Sequence, residues 1–177
     1  MRPTRILRVI THIWTTTRRL TLPGLLACSL ASPAAAERAP RQAPSFALPT
    51  GKGTASLDSL RGKVVLVDFW ASWCGPCHRS FPWMAGLQAK YASQGLAIVA
   101  INLDKTREAA ESFLHEVPAP FTIAYDPAGR IATAYHVEGM PTTVLVGRDG
   151  RILSTHIGFE PAKAAAFETL IQEALRP

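Results

Sequence analysis

The hydrophobic positions after residue 45 alternate between the spacing of buried strands and that of amphipathic helices. Residues 64–70 form a run of aliphatic and aromatic side chains interrupted by one aspartate, and residues 96–103 form a second apolar run. Such runs predict strands that are buried on both faces. Between them, residues 76–93 carry apolar side chains every three or four positions, which predicts a helix with one buried face. A strand, a helix and a strand of these lengths predict a βαβ unit with parallel strands and a right-handed crossover.

The same patterns assign elements to the rest of the folded part. They predict strands at residues 46–48, 54–57, 121–125, 143–146 and 151–156, and helices at residues 106–117, 131–136 and 161–175. The last helix is expected to turn four side chains inward, namely Phe167, Leu170, Ile171 and Leu175. The first two strands predict an N-terminal β-hairpin extension, and the last two predict a second hairpin. Together the elements predict an α/β fold with a central mixed β-sheet flanked by helices.

The first 36 residues differ in composition from the rest. They contain five arginines and no acidic residue, then a modestly apolar run at residues 20–30, and then the small residues 34–36. This order is typical of a secretory signal peptide, and the apolar run is too short to cross ~30 Å of hydrocarbon as a helix. We therefore expect a targeting segment at residues 1–36, a linker at 37–45, a folded domain at 46–177 and an extracytoplasmic, periplasmic location. A retained membrane anchor is the alternative.

Two finer signals lie within this segment. Arg18 and Arg19 resemble a twin-arginine export motif, although paired arginines are common in basic leaders. Residues 25–28, Leu-Leu-Ala-Cys, resemble a lipobox in which Cys28 would carry a lipid anchor. The alternative is that Cys28 is incidental and is discarded with the leader.

The positive net charge of the chain says little about its function, because most of the excess lies in residues 1–36. The chain of 177 residues carries 19 basic and 13 acidic residues, a formal charge of +6, and 47% hydrophobic residues, enough for a sizeable core. Because five of the basic residues and none of the acidic ones fall in residues 1–36, residues 37–177 carry one net positive charge. We therefore expect no nucleic-acid binding.

Two of the three cysteines stand between the first buried strand and the helix, as Cys74-Gly75-Pro76-Cys77. Unpaired N–H groups and the macrodipole at a helix N-terminus stabilise a thiolate there. Pro76 suits the first helical turn, and Gly75 leaves room for another backbone to approach. The spacing allows both a dithiol and a disulfide. We expect Cys74 to attack a substrate disulfide and Cys77 to resolve the mixed disulfide, with Trp70 and Trp73 shielding one side.

Other interpretations of the pair are open. It could be a purely structural disulfide. Together with His78 it also matches C-x-x-C-H, the attachment signature of c-type haem, with His78 and Met140 as axial ligands. A copper or zinc site would need a distant histidine as well. The position within a βαβ unit favours redox chemistry without a metal or an organic cofactor. His78 is then a solvent-facing residue that lowers the pKa of Cys74.

A family resemblance runs through these residues. Residues 65–77, Val-Leu-Val-Asp-Phe-Trp-Ala-Ser-Trp-Cys-Gly-Pro-Cys, resemble the active-site strand and motif of thioredoxins. Residues 57–63 and 139–143, Gly-Met-Pro-Thr-Thr, are similar to the TlpA/ResA-like branch of that superfamily. The resemblance implies a thioredoxin-like fold and an extracytoplasmic thiol:disulfide oxidoreductase whose electrons reside in the cysteines.

The resemblance also implies roles for individual residues. Cys74 and Cys77 match the redox pair, and Trp73, Gly75 and Pro76 complete its motif. Pro141 matches a cis-proline that presents its backbone to the substrate, and Met140 matches the position that touches the sulfurs. Asp68 matches a buried carboxylate that helps to move the proton of the buried cysteine, and its apolar neighbours predict a raised pKa.

One position departs from the family pattern. Many relatives have a glutamate three residues after the second cysteine, where this chain has Ser80. The role of that acid in docking or proton transfer therefore does not carry over. The Gly-Pro dipeptide between the cysteines resembles reducing thioredoxins. The expected partners are client proteins with disulfides or thiols, such as apocytochrome c or a metal-site thiol pair, and a membrane electron donor.

Overall fold

The structure, a computed structural model, describes residues 41–177. The predicted targeting segment, including Cys28, lies outside the described residues. The strands are β1 (Ala47–Pro49), β2 (Thr54–Ser56), β3 (Val64–Trp70), β4 (Leu96–Asn102), β5 (Thr122–Tyr125), β6 (Thr142–Val146) and β7 (Ile152–Ile157). The helices are α1 (Cys77–Tyr91), α2 (Arg107–Glu116), α3 (Arg130–Ala134) and α4 (Pro161–Leu175). None of these helices has the length and apolar character needed to span a bilayer.

Five strands form a mixed sheet in the order β5-β4-β3-β6-β7. The strands β3 and β4 are parallel, as the βαβ pattern predicts, and β5 continues the parallel half. The strand β6 runs antiparallel to β3, and β7 runs antiparallel to β6. The predicted central mixed sheet is therefore confirmed. The strands β1 and β2 pair with each other in a separate two-stranded antiparallel sheet.

The core has two layers, one on each face of the sheet. On one face, the even-numbered side chains of β3 pack with the buried stripes of α1, α2 and α4. On the other face, its odd-numbered side chains pack with α3 and with the segment around β1 and β2. Every residue of β3 is buried because the strand lies in the middle of the sheet and is covered on both faces. The reactive pair follows directly from the end of this buried strand.

One expectation differs from the structure. Leu170 does not face inward as predicted but is 38% exposed, because Phe167, Ile171 and Leu175 form the buried stripe and Leu170 lies at its edge. Within the predicted linker, residues 41–45 lie against the domain. Ala43 is buried and its N–H donates to the carbonyl of Gly150 at 2.9 Å. Backbone pairing of this kind leaves no periodic signal in a short Pro- and Ala-rich segment.

Candidate active site

Cys74 and Cys77 are joined by a disulfide at the junction of β3 and α1. The sulfurs are 2.08 Å apart and the Cα atoms 5.3 Å apart. Cys77 is the first residue of α1, and its N–H donates to the carbonyl of Cys74 at 3.0 Å. The N–H of Cys74 in turn donates to the carbonyl of Ala71 at 3.1 Å. Two successive tight turns therefore carry the chain from the buried strand into the helix with the sulfur pair at the bend.

The two cysteines differ in access to solvent. Cys77 is fully buried, whereas Cys74 keeps an exposed fraction of 4%. Any sulfur from another protein must therefore approach Cys74. Trp73, which precedes it, is 73% exposed, while Trp70 is fully buried beneath the motif. Of the two tryptophans expected to shield the pair, Trp70 lies in the core and Trp73 lies at the surface.

An aromatic cluster anchors the first turn of α1. The ring of Trp70 lies 4.8 Å from Phe81 of α1 and 4.7 Å from Phe113 of α2, measured between centroids. The exposed His78 lies with its ring centroid 4.5 Å from that of Phe113. Aromatic pairs at these separations add to the stability gained from burial alone. The start of α1 is thus held by the sheet on one side and by α2 on another.

The start of α1 provides no carboxylate beside the disulfide. Its first turn contains no acidic residue, and no side chain caps it. Ser80, three residues after Cys77, is buried and its hydroxyl donates to the carbonyl of Cys77 at 3.2 Å. The positive end of the helix dipole therefore faces the sulfur pair without an acidic side chain in that turn to offset it.

The loop before β6 reaches the same end of the sheet. The peptide bond between Met140 and Pro141 is cis. Pro141 directly precedes Thr142, which pairs with Phe69 near the carboxyl end of β3. Met140 packs against the core cluster that includes both cysteines. Strand register therefore brings residues 140 and 141 to the end of the sheet where the disulfide lies.

Asp68 is a fully buried acid on the face of β3 that α1 covers. The hydroxyl of Thr143 donates to its Oδ1 at 2.7 Å. Among the described residues, no protein group hydrogen bonds to its Oδ2. Burial raises the pKa of Asp68 to about 7, and the hydrogen bond from Thr143 opposes part of this rise. The expected upward shift of this pKa agrees with the structure.

Sequence reasoning did not identify Asp104 as part of the site. Its carboxylate accepts hydrogen bonds from the N–H of Ser72 at 2.9 Å, from the Ser72 hydroxyl at 3.0 Å and from the Asn102 amide at 2.8 Å. Ser72 lies two residues before Cys74, so Asp104 ties the active-site loop to the end of β4. The sequence does contain a signal for this contact, an aspartate just after a buried strand. Because parallel strands end at the same edge of a sheet, such a residue is expected close to the loop that follows the neighbouring strand.

We expect Asp104→Ala to lower the free energy of unfolding by about 2–3 kcal/mol, because it leaves two part-buried donors of Ser72 and the buried amide of Asn102 without an acceptor. Chemical denaturation measures this change. Asp58→Ala, which removes an exposed carboxylate, is the matched control and should cost less than about 0.5 kcal/mol. Equal losses in the two variants would show that Asp104 does not hold the loop.

The described histidines do not gather around the disulfide as ligands. Within residues 41–177, nowhere do three His, Cys, Asp or Glu side chains come together in a cluster that could hold a metal ion. His78 lies at the start of α1 and His156 lies on β7 against Phe167. The arrangement in the described part of the chain is therefore a sulfur pair with one buried carboxyl on the same face of the sheet.

Known proteins are similar to this chain in sequence. The family model described as Redoxin matches residues 38–171. The thiol-disulfide oxidoreductase ResA of Bacillus cereus is 34% identical over 119 residues, which are 67% of this chain and 69% of that protein. ResA of Bacillus subtilis is 34% identical over 117 residues, 66% of this chain and 65% of that protein.

A solved structure agrees with this relationship. The crystal structure described as the thiol:disulfide interchange protein DsbE of Chlorobium tepidum superposes with a TM-score of 0.76 at 50% sequence identity. It covers 77% of this chain and 97% of that chain. The chain therefore belongs to the redoxin family, as a thioredoxin-fold thiol:disulfide oxidoreductase of the TlpA/ResA-like branch.

Proposed function

We propose that the protein reduces disulfides in client proteins outside the cytoplasm, with Cys74 as the attacking sulfur and Cys77 as the resolving one. The observation that carries this proposal is the disulfide at the start of α1, in which only Cys74 retains exposed surface. Because Cys77 is buried, it cannot be the first to meet a client sulfur. Its bond to Cys74 shows that it can reach the Cys74 sulfur, as the resolving step requires. The order of the two roles follows from this difference in access.

The reaction then has two steps. The Cys74 thiolate attacks one sulfur of the client disulfide, a new S–S bond forms between protein and client, and the other client sulfur leaves as a thiolate. Cys77 loses its proton and attacks the sulfur of Cys74, which releases the second client thiolate. The client gains two electrons and the protein is left with the Cys74–Cys77 disulfide seen in the structure.

Asp68 is the group we propose to take the proton of Cys77. It lies on the strand face covered by α1, and its pKa of about 7 lets it both accept and release a proton near neutral pH. Ser80 has no carboxylate that could do so, and its hydroxyl donates to the carbonyl of Cys77. Asp68 therefore carries the proton-transfer role alone in this proposal.

The direction of electron flow is tested by the reduction potential of the Cys74–Cys77 couple. The Gly75-Pro76 dipeptide supports a reductant, which a membrane electron donor would keep reduced. We expect a potential near that of thioredoxin, about −270 mV, measured by equilibration with glutathione or dithiothreitol. A potential near about −120 mV would identify an oxidant and contradict the proposal.

The clients we propose are disulfide-bearing proteins such as apocytochrome c or proteins with a metal-site thiol pair. The basic and apolar leader supports export, and Cys28 would add a lipid anchor if the segment at residues 25–28 is processed as a lipobox. Mass spectrometry of the mature protein isolated from its host tests whether the leader is cleaved and whether Cys28 carries a lipid. A mature chain that still contains residues 1–27 would contradict cleavage and lipidation at Cys28.

Trp73 is the exposed aromatic side chain beside Cys74 and is expected to contact the client. We expect Trp73→Ala to raise the KM for a protein disulfide about tenfold, because exposed tryptophans in interfaces often contribute more than about 1 kcal/mol to binding. The free energy of unfolding should change by less than about 0.5 kcal/mol, since the side chain is 73% exposed. Leu153→Ala, on the exposed side of β7, is the control; an unchanged KM in Trp73→Ala would contradict the client contact.

The alternative function, a haem- or copper-carrying protein that uses Cys74, Cys77 and His78, is distinguished by spectroscopy. Covalent haem needs both sulfurs for attachment, whereas in this structure they are bonded to each other. An absorbance spectrum of protein purified from its host reveals covalent haem by an intense Soret band. Copper analysis before and after reduction of the pair tests the metal-carrying version.

A further inference from the structure

A small cavity lies beside the strand face that carries Asp68. Its volume is about 70 Å³, and its walls come from β6, β7, α4, α1 and the loop between β7 and α4. The polar side chains of these walls are Thr143, His156, Trp83, Glu160 and Lys163. Glu160 and Lys163 form an exposed ion pair at the beginning of α4, with 2.9 Å between Nζ and Oε1. The cavity therefore extends from the sheet face towards a charged, solvent-exposed rim.

Strand register connects this cavity with Asp68. Asp68 pairs with Thr143, and Thr143 pairs with His156, so the three side chains lie side by side on one face of β3, β6 and β7. The Thr143 hydroxyl donates to Asp68 Oδ1 at 2.7 Å and also lines the cavity. A threonine hydroxyl that donates one hydrogen bond still has lone pairs with which to accept another. Thr143 thus stands between the carboxyl group and the cavity.

Unpartnered polar atoms point to what fills the space. Among the described residues, the indole N–H groups of Trp83 and Trp70 are buried and hydrogen bond to no protein atom. Trp83 lines the cavity, whereas Trp70 does not and lies against the rings of Phe81 and Phe113. Buried polar groups of this kind are usually satisfied by ordered water, and a cavity of about 10–15 Å³ already admits one molecule.

We propose that this cavity holds water bound to Trp83 and Thr143, and that it is the route by which the proton taken up by Asp68 leaves to solvent. Once Asp68 is protonated, its O–H donates to the Thr143 oxygen, and the Thr143 hydroxyl turns its own hydrogen towards the cavity water. Thr143 then accepts the proton of Asp68 as it passes its own to the water, so that its hydroxyl is restored. This inference rests on the proposed function, in which Cys77 gives its proton to Asp68. Besides the cysteines, the titratable groups facing this path are His156 on β7 and Glu160 and Lys163 at the start of α4.

The water content of the cavity is tested by hydrogen exchange of the indole groups, followed by NMR after transfer to D₂O. Trp83 should exchange at least about tenfold faster than Trp70, which serves as an internal control. Ala164→Met, which places a larger side chain in the cavity wall, should slow exchange at Trp83 and leave Trp70 unchanged. Ala166→Met, on the exposed side of α4, is the matched control. Equal exchange at the two tryptophans, or equal effects of the two variants, would overturn the proposal.

The relay is tested by Thr143→Val, which keeps the shape of the side chain and removes the hydroxyl. In rapid-mixing infrared experiments with a protein disulfide, the C=O stretch of protonated Asp68 should persist at least about tenfold longer than in the wild type after the mixed disulfide has decayed, while formation of the mixed disulfide by Cys74 stays unchanged. Thr143→Ser, which restores a hydroxyl, should lose this band at a rate within about twofold of the wild type. Loss of the band at the wild-type rate in Thr143→Val would overturn the relay. If the wild type forms no mixed disulfide, the proposed function itself fails, whereas the indole exchange still reports on the cavity.

Discussion

Cys74→Ser is expected to reduce the rate of insulin disulfide reduction to that of the reaction without protein. A serine hydroxyl is not ionised near neutral pH and cannot form the mixed disulfide, and Cys77, the other cysteine of the pair, is fully buried. Turbidity of the released insulin B chain, with dithiothreitol as electron source, measures the rate. Retained activity in Cys74→Ser would refute the proposed mechanism.

Cys77→Ser is the matched variant because it removes the other sulfur of the same disulfide. It should form the first bond to the client and then stop, because the sulfur that is bonded to Cys74 in the structure is gone. Mixed disulfides with clients should therefore accumulate and be visible on non-reducing gels and by mass spectrometry. If adducts accumulate with Cys74→Ser and not with Cys77→Ser, the assigned order of roles is wrong.

The stability of the protein is expected to fall as the pH rises from about 4 to about 7, because of Asp68. An aspartate ordinarily has a pKa of 3.8, and burial raises the pKa of Asp68 to about 7 in the folded protein. Between these values the folded state binds more protons than the unfolded state, so the free energy of unfolding decreases with rising pH. The decrease attributable to Asp68 is about 4 kcal/mol and is complete above its folded pKa.

Asp68→Asn tests this expectation, because an amide of the same shape can still accept the hydrogen bond of Thr143 and does not ionise. At pH 8 its free energy of unfolding should exceed that of the wild type by about 3–4 kcal/mol, with a small difference at pH 4. Urea denaturation at a series of pH values provides the comparison, with Asp58→Asn at an exposed site as control. A constant difference between Asp68→Asn and the wild type at all pH values would contradict the raised pKa.

The same substitution should slow the reaction. Loss of a general base typically costs about 10²–10⁴-fold, so Asp68→Asn should resolve mixed disulfides at least about a hundredfold more slowly. The variant would thus be more stable and less active. A buried group that is retained for proton transfer lowers stability, because its desolvation is unfavourable in the folded state. Its removal should therefore raise the stability and lower the rate.

Much of the fold followed from local patterns. The run at residues 64–70 predicted a central strand because a short run rich in β-branched and aromatic side chains is typical of a strand covered on both faces. Helical spacing after residue 76 predicted α1, and the last two predicted strands, at residues 143–146 and 151–156, predicted the pairing of β6 with β7. The prediction for Leu170 is wrong because helical periodicity alone does not define how wide the contact with the sheet is.

The features of the site also fall into those that local sequence predicts and those that it does not. The position of Cys74 and Cys77 at the start of a helix is a local property, and so is the apolar surrounding that raises the pKa of Asp68. Resemblance to a family pointed to Pro141 before any pairing of strands was known. Each of these features is encoded by the residues immediately around it in the sequence.

The remaining features depend on which strands become neighbours. Ser72 meets Asp104 across 32 positions of sequence, and Asp68 meets Thr143 across 75. The cavity beside Thr143 needs β7, α1 and α4 to close around it. Periodicity specifies which face of an element is buried, but a hydrogen bond between two elements also requires strand order and register. Those are decided when the whole core packs, because a shift of one residue in register would turn Thr143 to the opposite face of the sheet.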